Sequence, residues 1–344
     1  MKNLLVTGGA GFIGTNFIFT ACDAGFNVLN IDKLTYAGNK ENLSILNAAQ
    51  YSFVQGDICD RKLVTQLLEK HNIDAVVHLA AESHVDRSID SPGEFVRTNI
   101  QGTFELLEAS RKYAKANQSF RFLHVSTDEV FGSLGESGRF NEETPYAPNS
   151  PYAASKAAAD HLVRAYNHTY QLATLTTNCS NNYGPFQFPE KLIPLITLNA
   201  LEGRLLPIYG SGKNVRDWIY VEDHCQALLR VLEEGVPGAT YAIGSDNEKS
   251  NIEIVSTICS ILQDRVPAKT GSFLDLITYV EDRPGHDWRY AIDATKITKE
   301  LGWRPLHTFE EGLSKTISWY QKHTNWCAQA ASSTETRARI GLKS

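Results

Sequence analysis

The sequence predicts an α/β protein: a doubly wound parallel sheet carrying a smaller, loop-rich α/β lobe. Three observations lead there. A glycine-rich turn at residues 7–14 sits between an apolar run and a helical stretch. Short, fully apolar runs then alternate with helical patterns through about residue 182, the mark of a parallel sheet covered on both faces. Beyond that point the rhythm breaks into proline-rich and loop-rich segments.

Taken in order, Leu4–Val6 reads as a strand, Phe12 to Ala24 as a helix and Asn27–Ile31 as a second strand. Ser52–Val54, Ala75–Leu79 and Phe122–Ser126 read as further strands, with helices over Leu63 to His71 and Thr103 to Ala116. Residues 184–194 carry three prolines and cannot form one regular element. Residues 203–216 and 271–290 are loop-rich and hold several Arg, Lys and aromatic side chains. The division expected is a cofactor-binding domain over 1–182, a mostly substrate-binding lobe over 183–326 and a polar tail over 327–344 that frays. Within the lobe, about 215–245 is expected to return to the main sheet, with Val215 to Val221 as the returning strand.

A length of 344 residues suits one large domain or two smaller ones. Hydrophobic content of 42% with 21% charged residues fits a globular chain, and a net charge of −6 gives no reason to expect nucleic acid or an anionic membrane as partner. There is no run of about 18 apolar residues and no visible secretory signal. The six cysteines fall without CxxC pairing, so neither a metal site nor a disulfide framework is expected, and the sequons at Asn117, Asn167 and Asn178 read as chance matches. A reducing cytoplasm is the expected compartment.

Thr7–Gly14 has the spacing GxxGxxG, following a strand and opening a helix at Phe12 and Ile13. Gly8, Gly11 and Gly14 allow a tight turn and close backbone approach, so the helix start faces a pyrophosphate in a Rossmann-type arrangement. Asp32 ends the next strand. There a carboxylate accepts the adenosine ribose hydroxyls and repels a 2′-phosphate, favouring NAD over NADP, with Lys33 alongside softening that repulsion. Leu34 and Thr35 are assigned to the same side of the cofactor. Asp57, followed by Ile58, sits where a carboxylate meets the adenine amino group or caps a helix.

Tyr152 and Lys156 are four apart and share a helix face, with Pro151 suited to the first turn. A cationic Lys156 is expected to lower the Tyr152 phenol pKa and let it act as a base. Thr127 stands 25 residues before Tyr152, at a strand end. The adjoining Asp128 and Glu129 exceed what alcohol oxidation needs. They suggest removal of a carbon-bound proton and expulsion of water, against a plainer reading as an acidic pair at a helix start.

These residues resemble the extended short-chain dehydrogenase/reductase family acting on nucleotide sugars. The strings Ala80–Ser88, Ser126–Gly132, Asn178–Pro185 and Arg283–Asp287 resemble the dTDP-glucose 4,6-dehydratases within it, over residues 1 to about 326. Two features depart from the pattern: Phe131 where Tyr is usual, and a short Gly132–Tyr146 connection. The resemblance implies NAD as cofactor, dTDP-glucose as substrate and a homodimer formed through helices of the cofactor domain. It places Leu79, Ala80 and Ala81 on the cofactor, with Ser83 and Thr98 lining the nicotinamide and sugar pocket. Asn181, Lys191 and Leu192 would meet the sugar diphosphate and Asn182 the cofactor side. Pro207, Ile208 and Tyr209 would pack near the nucleobase, and Arg216, Asn251, Arg283 and His286 would hold the diphosphate and deoxyribose end. His78, His161, His168 and His224 read as packing or surface residues, and Glu82, Asp86 and Arg87 as a structural ion-pair cluster.

The expected reaction begins with Tyr152, aided by Lys156, taking the 4-hydroxyl proton as hydride leaves C4 for NAD, with Thr127 orienting the hydroxyl. Glu129 then removes the C5 proton, Asp128 protonates the departing C6 hydroxyl, and hydride returns to C6. Formation of deoxysugars, rhamnose among them, is the pathway this suggests. A nucleotide-sugar 4-epimerase shares the turn, Thr and Tyr/Lys but needs no acid/base pair. A non-catalytic NAD-sensing protein needs no intact Thr127, Tyr152 and Lys156, and a zinc-dependent dehydrogenase needs metal-ligand spacing.

Overall fold

The computed structural model describes residues 1–269, 271–282 and 285–332. Its first half runs β1 (Asn3–Thr7), α1 (Phe12–Asp23), β2 (Asn27–Asp32), a 3₁₀ turn at Lys40–Leu43, β3 (Tyr51–Gln55), α2 (Arg61–Lys70) and β4 (Ala75–His78). Two short helices, α3 (Val85–Asp90) and α4 (Pro92–Phe95), lead through a π-helical stretch at Val96–Gly102 into α5 (Thr103–Ala114) and β5 (Arg121–Thr127). Next come α6 (Pro151–Tyr170), β6 (Thr174–Cys179), β7 (Asn181–Tyr183), α7 (Leu192–Glu202), β8 (Leu206–Tyr209), β9 (Val215–Tyr220), α8 (Val221–Glu234), β10 (Thr240–Ile243) and β11 (Glu248–Ser250). The chain continues with α9 (Asn251–Gln263), β12 (Ile277–Val280), α10 (Thr295–Leu301), α11 (Phe309–Lys322) and α12 (Thr324–Ser332).

Seven strands form one parallel sheet in the order β10-β6-β5-β4-β1-β2-β3. Both faces are apolar because successive side chains on a strand point to opposite sides. Leu4 and Val6 pack with Phe17, Leu228 and Val231 of α1 and α8. Leu5 between them packs on the other face with Val64, Leu106 and Leu107 of α2 and α5. Each such fully buried Leu or Val contributes roughly 1.5–3 kcal/mol. Helix starts are set locally. The Ser150 side chain accepts the Ala153 N–H ahead of Pro151, and Thr308 with Glu311 forms a capping box on α11.

A third core of Ile193, Ile196, Leu206, Trp218, Ile254 and Phe273 underlies the remainder. Here two expectations need correction. Strand β9 does not return to the main sheet: it lies in a three-stranded sheet, β11-β9-β7. Strand β10 already occupies the edge of β6, and β7, leaving β6 almost without a break, offers β9 a separate parallel edge. The return is made by α8 and β10. The chain after Trp326 also does not fray at once, because α12 runs to Ser332 with Cys327 buried against Leu198 and Tyr320. Residues 333–344 lie outside the described part. Among the described residues no helix is long and apolar enough to cross a membrane.

Candidate active site

At the C-terminal edge of the main sheet lies a cavity of about 320 Å³, where an open parallel sheet places its ligands. The β1–α1 turn forms its floor. Gly8 has φ +73° and no room for a side chain, since a Cβ there would sit 2.6 Å from the Ala80 backbone. A Cβ on Gly14 would lie 2.2 Å from the Gly8 carbonyl. The turn is therefore folded tightly on itself and against the end of β4, with its free face toward the cavity. Asp32 accepts the Ala10 N–H at 3.0 Å and the Leu34 N–H at 2.8 Å. Burial raises its pKa while those two bonds oppose the rise. A cradle closed to side chains, with a carboxylate one strand away, fits a dinucleotide.

The other residues expected at the cofactor wall the same cavity: Gly11, Phe12, Ile13, Lys33, Thr35, Ile58, Leu79, Ala81, Ser83, Thr98 and Asn182 among them. Leu34 does not. It turns back with φ +58° and contributes the N–H that orders Asp32. Lys33 is engaged by Asp57 at 3.0 Å, which also meets Arg97 at 3.3 Å. Burial works against the Asp57 charge, but the Cys59 N–H and Lys33 outweigh it and hold this carboxyl below its ordinary range. Asp57 is not a helix cap; Asp60 caps α2 by accepting the Leu63 N–H.

The same cavity holds Thr127, Asp128, Glu129, Tyr152 and Lys156. Thr127 ends β5 and its hydroxyl accepts the Glu129 N–H at 3.3 Å, starting a short 3₁₀ turn over Asp128–Phe131. That turn puts the two carboxylates side by side in unequal surroundings. Asp128 is 2% exposed, with Oδ2 buried and unpartnered, whereas Glu129 is partly open. Burial, then the Glu129 charge, then Asp217 push Asp128 well above the ordinary carboxylate range, with Arg216 opposing. Lys156 donates to the Val125 carbonyl at 2.9 Å. The expected lowering of the Tyr152 pKa is not found. Burial pushes it well up, the neighbouring Glu129 adds to this, and the Thr127 hydroxyl works the other way.

A second cavity of about 250 Å³ adjoins the first through Ser83, Glu129, Asn181, Asn182 and Lys191, which wall both. Around it stand Leu192, Pro207, Ile208, Tyr209, Arg216, Asn251 and His286, all expected at the substrate. Thr127 walls the first cavity instead. Arg216 is buried, not a solvated charge. Its guanidinium donates to the Val215 and Asp287 carbonyls at 2.8 and 2.9 Å and lies 4.1 Å over the Tyr290 ring. Lys191 reaches the Ser83 carbonyl at 3.3 Å, and His286 meets Asp282 at 2.6 Å. Arg283 lies outside the described residues.

Several wall residues carried no signal in the sequence. Glu190 walls both cavities and accepts the Tyr36 hydroxyl at 2.8 Å, while Arg87 reaches it at 3.4 Å and covers the Tyr36 ring at 3.8 Å. The expected grouping of Asp86 with Arg87 is thereby rearranged, for Asp86 accepts the Tyr209 hydroxyl at 3.0 Å. Glu82 and Asp86 each wall a cavity. His78 is buried between the Thr7 and Thr103 hydroxyls at 2.8 and 2.9 Å, and His224 meets Asn182 at 2.8 Å. Phe131 stacks 5.1 Å from Phe140 and walls neither cavity. Among the described residues no His, Cys, Asp and Glu group is placed to hold a metal ion.

Residues 5–316 match the family model described as GDP-mannose 4,6 dehydratase. The chain is 56% identical to the dTDP-glucose 4,6-dehydratase of Xanthomonas campestris pv. campestris (strain B100) over 99% of both chains. Its fold is similar to that of the dTDP-glucose 4,6-dehydratase of Bacillus anthracis in complex with NAD (TM-score 0.86, 47% identity, 96% of this chain and 100% of that one). The dTDP-glucose 4,6-dehydratase DesIV of Streptomyces venezuelae, with NAD and dTDP bound, is similar at TM-score 0.89 and 44% identity over 95% and 99% of the two chains. Similarity at this level over nearly the whole length shows descent as well as shape: the chain belongs to the dTDP-glucose 4,6-dehydratase family.

Proposed function

We propose that this chain is an NAD-dependent lyase that converts dTDP-glucose to dTDP-4-keto-6-deoxyglucose and water. The observation that carries the reading is the unequal pair at the end of β5, a buried Asp128 whose carboxyl is driven well above its ordinary range by burial, beside a partly open Glu129. Alcohol oxidation alone has no use for such a pair, whereas β-elimination of water needs one group to give a proton and another to take one.

When bound in the first cavity, NAD would supply hydride acceptance at C4 and hydride donation at C6, with no net change over the turnover. Gly8, Gly11 and Gly14 would approach its pyrophosphate and Asp32 its ribose. Tyr152 accepts the 4-hydroxyl proton, Lys156 offsets the resulting phenolate charge, and Thr127 orients the hydroxyl. With a ketone at C4 the C5 hydrogen becomes acidic, and Glu129 takes it. Asp128 gives its proton to the C6 hydroxyl, which leaves as water; Glu129 returns its proton to C5, and the proton taken by Tyr152 is released as Asp128 regains one from solvent, restoring all three groups. Arg216, Asn181 and Lys191 hold the diphosphate from the second cavity, with Asn251 and His286 toward the deoxyribose. The lobes divide the work: residues 1–182 with α8 and β10 bind the cofactor, and most of 183–326 binds the substrate.

A homodimer in the cytoplasm, supplying deoxysugar formation such as the dTDP-rhamnose route, completes the proposal. Ile89, Val96 and Phe104, apolar side chains at least 36% exposed on neighbouring helical segments of the cofactor domain, support a partner there. The test is product analysis. Purified protein given dTDP-glucose should form the 4-keto-6-deoxy product with no net build-up of reduced cofactor. A C4-epimerised sugar in its place would sink the reading.

A further inference from the structure

Resting on that function, a demand follows: the reduced cofactor must stay bound between oxidation at C4 and reduction at C6, because its loss strands the sugar as a ketone. The β1–α1 turn is held from outside the cofactor domain. The Trp326 indole of α12 donates to Asn42 Oδ1 at 2.7 Å. The buried Asn42 amide in turn donates to the Thr15 hydroxyl at 3.2 Å and the Ala10 carbonyl at 3.5 Å. Thr15 reaches the Gly9 carbonyl at 3.3 Å. One chain of bonds thus runs from the last described helix to the backbone of the glycine-rich turn.

The same helix also grips the segment that separates the two cavities. Trp326 packs edge-on to Trp319 at 5.0 Å and Phe186 at 6.1 Å, and Phe186 lies 6.0 Å from Phe19 of α1. Phe186 holds this place with φ +67°, a left-handed backbone rarely adopted by a bulky residue. Its neighbours are tied down on both sides. Asn16 of α1 donates to the Pro185 carbonyl at 3.0 Å, and Tyr320 of α11 donates to the Gln187 carbonyl at 2.5 Å. Gln187 and Glu190, just beyond, wall both cavities.

We infer that α11 and α12 form a clasp for NAD, in which Trp326 is a positioning residue holding the glycine-rich turn through Asn42 and the 184–191 segment through Phe186. The clasp acts on release of the cofactor, not on the chemistry.

Two variants of the full chain test it. Trp326→Phe keeps the ring packing and loses the N–H; Trp326→Ala loses both. NAD content after gel filtration and the NAD release rate on dilution into a trap are read without sugar nucleotide, alongside dTDP affinity. Losing one neutral hydrogen bond should speed release from Trp326→Phe about five-fold, and from Trp326→Ala further. Affinity for dTDP should hold, and added NAD should restore the turnover that Trp326→Ala loses. Release rates equal to the parent in both variants overturn the clasp. Should Trp326→Ala fail to fold, Trp326→Phe decides alone. A parent that retains NAD but does not dehydrate dTDP-glucose would sink the proposed reaction and leave the clasp standing.

Discussion

Asp128 and Glu129 are consecutive residues in opposite electrostatic circumstances. Asp128 is wholly buried, with its pKa driven far up by burial and by Glu129 itself, while Glu129 opens onto both cavities. Like-charge proximity and unequal burial push two such groups apart in pKa. The acid role proposed for Asp128 and the base role proposed for Glu129 rest on that inequality.

Replacing Asp128 by Asn should leave C4 oxidation within a few-fold of the parent and slow water loss by roughly 10²–10⁴-fold, the range of a lost general acid. Rapid quenching and mass analysis of the sugar nucleotide would detect the 4-keto hexose that accumulates before dehydration. Parent-like water loss would remove Asp128 from the acid role.

The same substitution should stabilise the fold at alkaline pH. Because the folded-state pKa of Asp128 is raised, its contribution to stability is full below the ordinary carboxylate value and is lost as pH rises toward the folded value. Asn escapes that loss. The Tm advantage of Asp128→Asn over the parent should therefore be larger at pH 8 than at pH 4, read by calorimetry. An advantage that shrinks with rising pH would contradict the buried-acid assignment.

Glu129 also raises the Tyr152 pKa. Glu129→Gln should therefore shift the acid limb of C4 oxidation to lower pH while it slows dehydration. Single-turnover pH profiles would show this, and an unmoved limb would mean that Glu129 does not act on Tyr152.

Arg216 places a buried guanidinium on the second cavity with the Val215, Asp287 and Trp288 main-chain carbonyls fixing its plane. Arg216→Met should raise KM for dTDP-glucose by about 10–100-fold, as expected for lost charge-assisted bonds, and should also weaken dTDP binding. Calorimetric titration with dTDP checks it, unchanged affinity being the contrary result.

What the sequence made legible was local. The Gly8–Gly14 turn, Asp32 and the helical spacing of Tyr152 and Lys156 are written in adjacent residues, and the strand-and-helix alternation is a period that any window can read. What it hid depends on distant partners. Glu190 looks like any charge in a proline-rich loop until Tyr36 and Arg87, more than 100 positions away, meet it. Strand β9 leads straight into a helix as the main-sheet strands do, and only the edges left open by β10 and β7 send it elsewhere. Trp326 read as the last residue before a fraying tail because Asn42 and Phe186 lie far off in sequence.

The most direct test of the proposed reaction follows a single deuterium. With dTDP-glucose labelled at C4, deuterium should appear in the C6 methyl group of the 4-keto product, since what leaves C4 returns to C6 on the same molecule. Deuterium found back at C4 of a hexose, or lost to water, would contradict it.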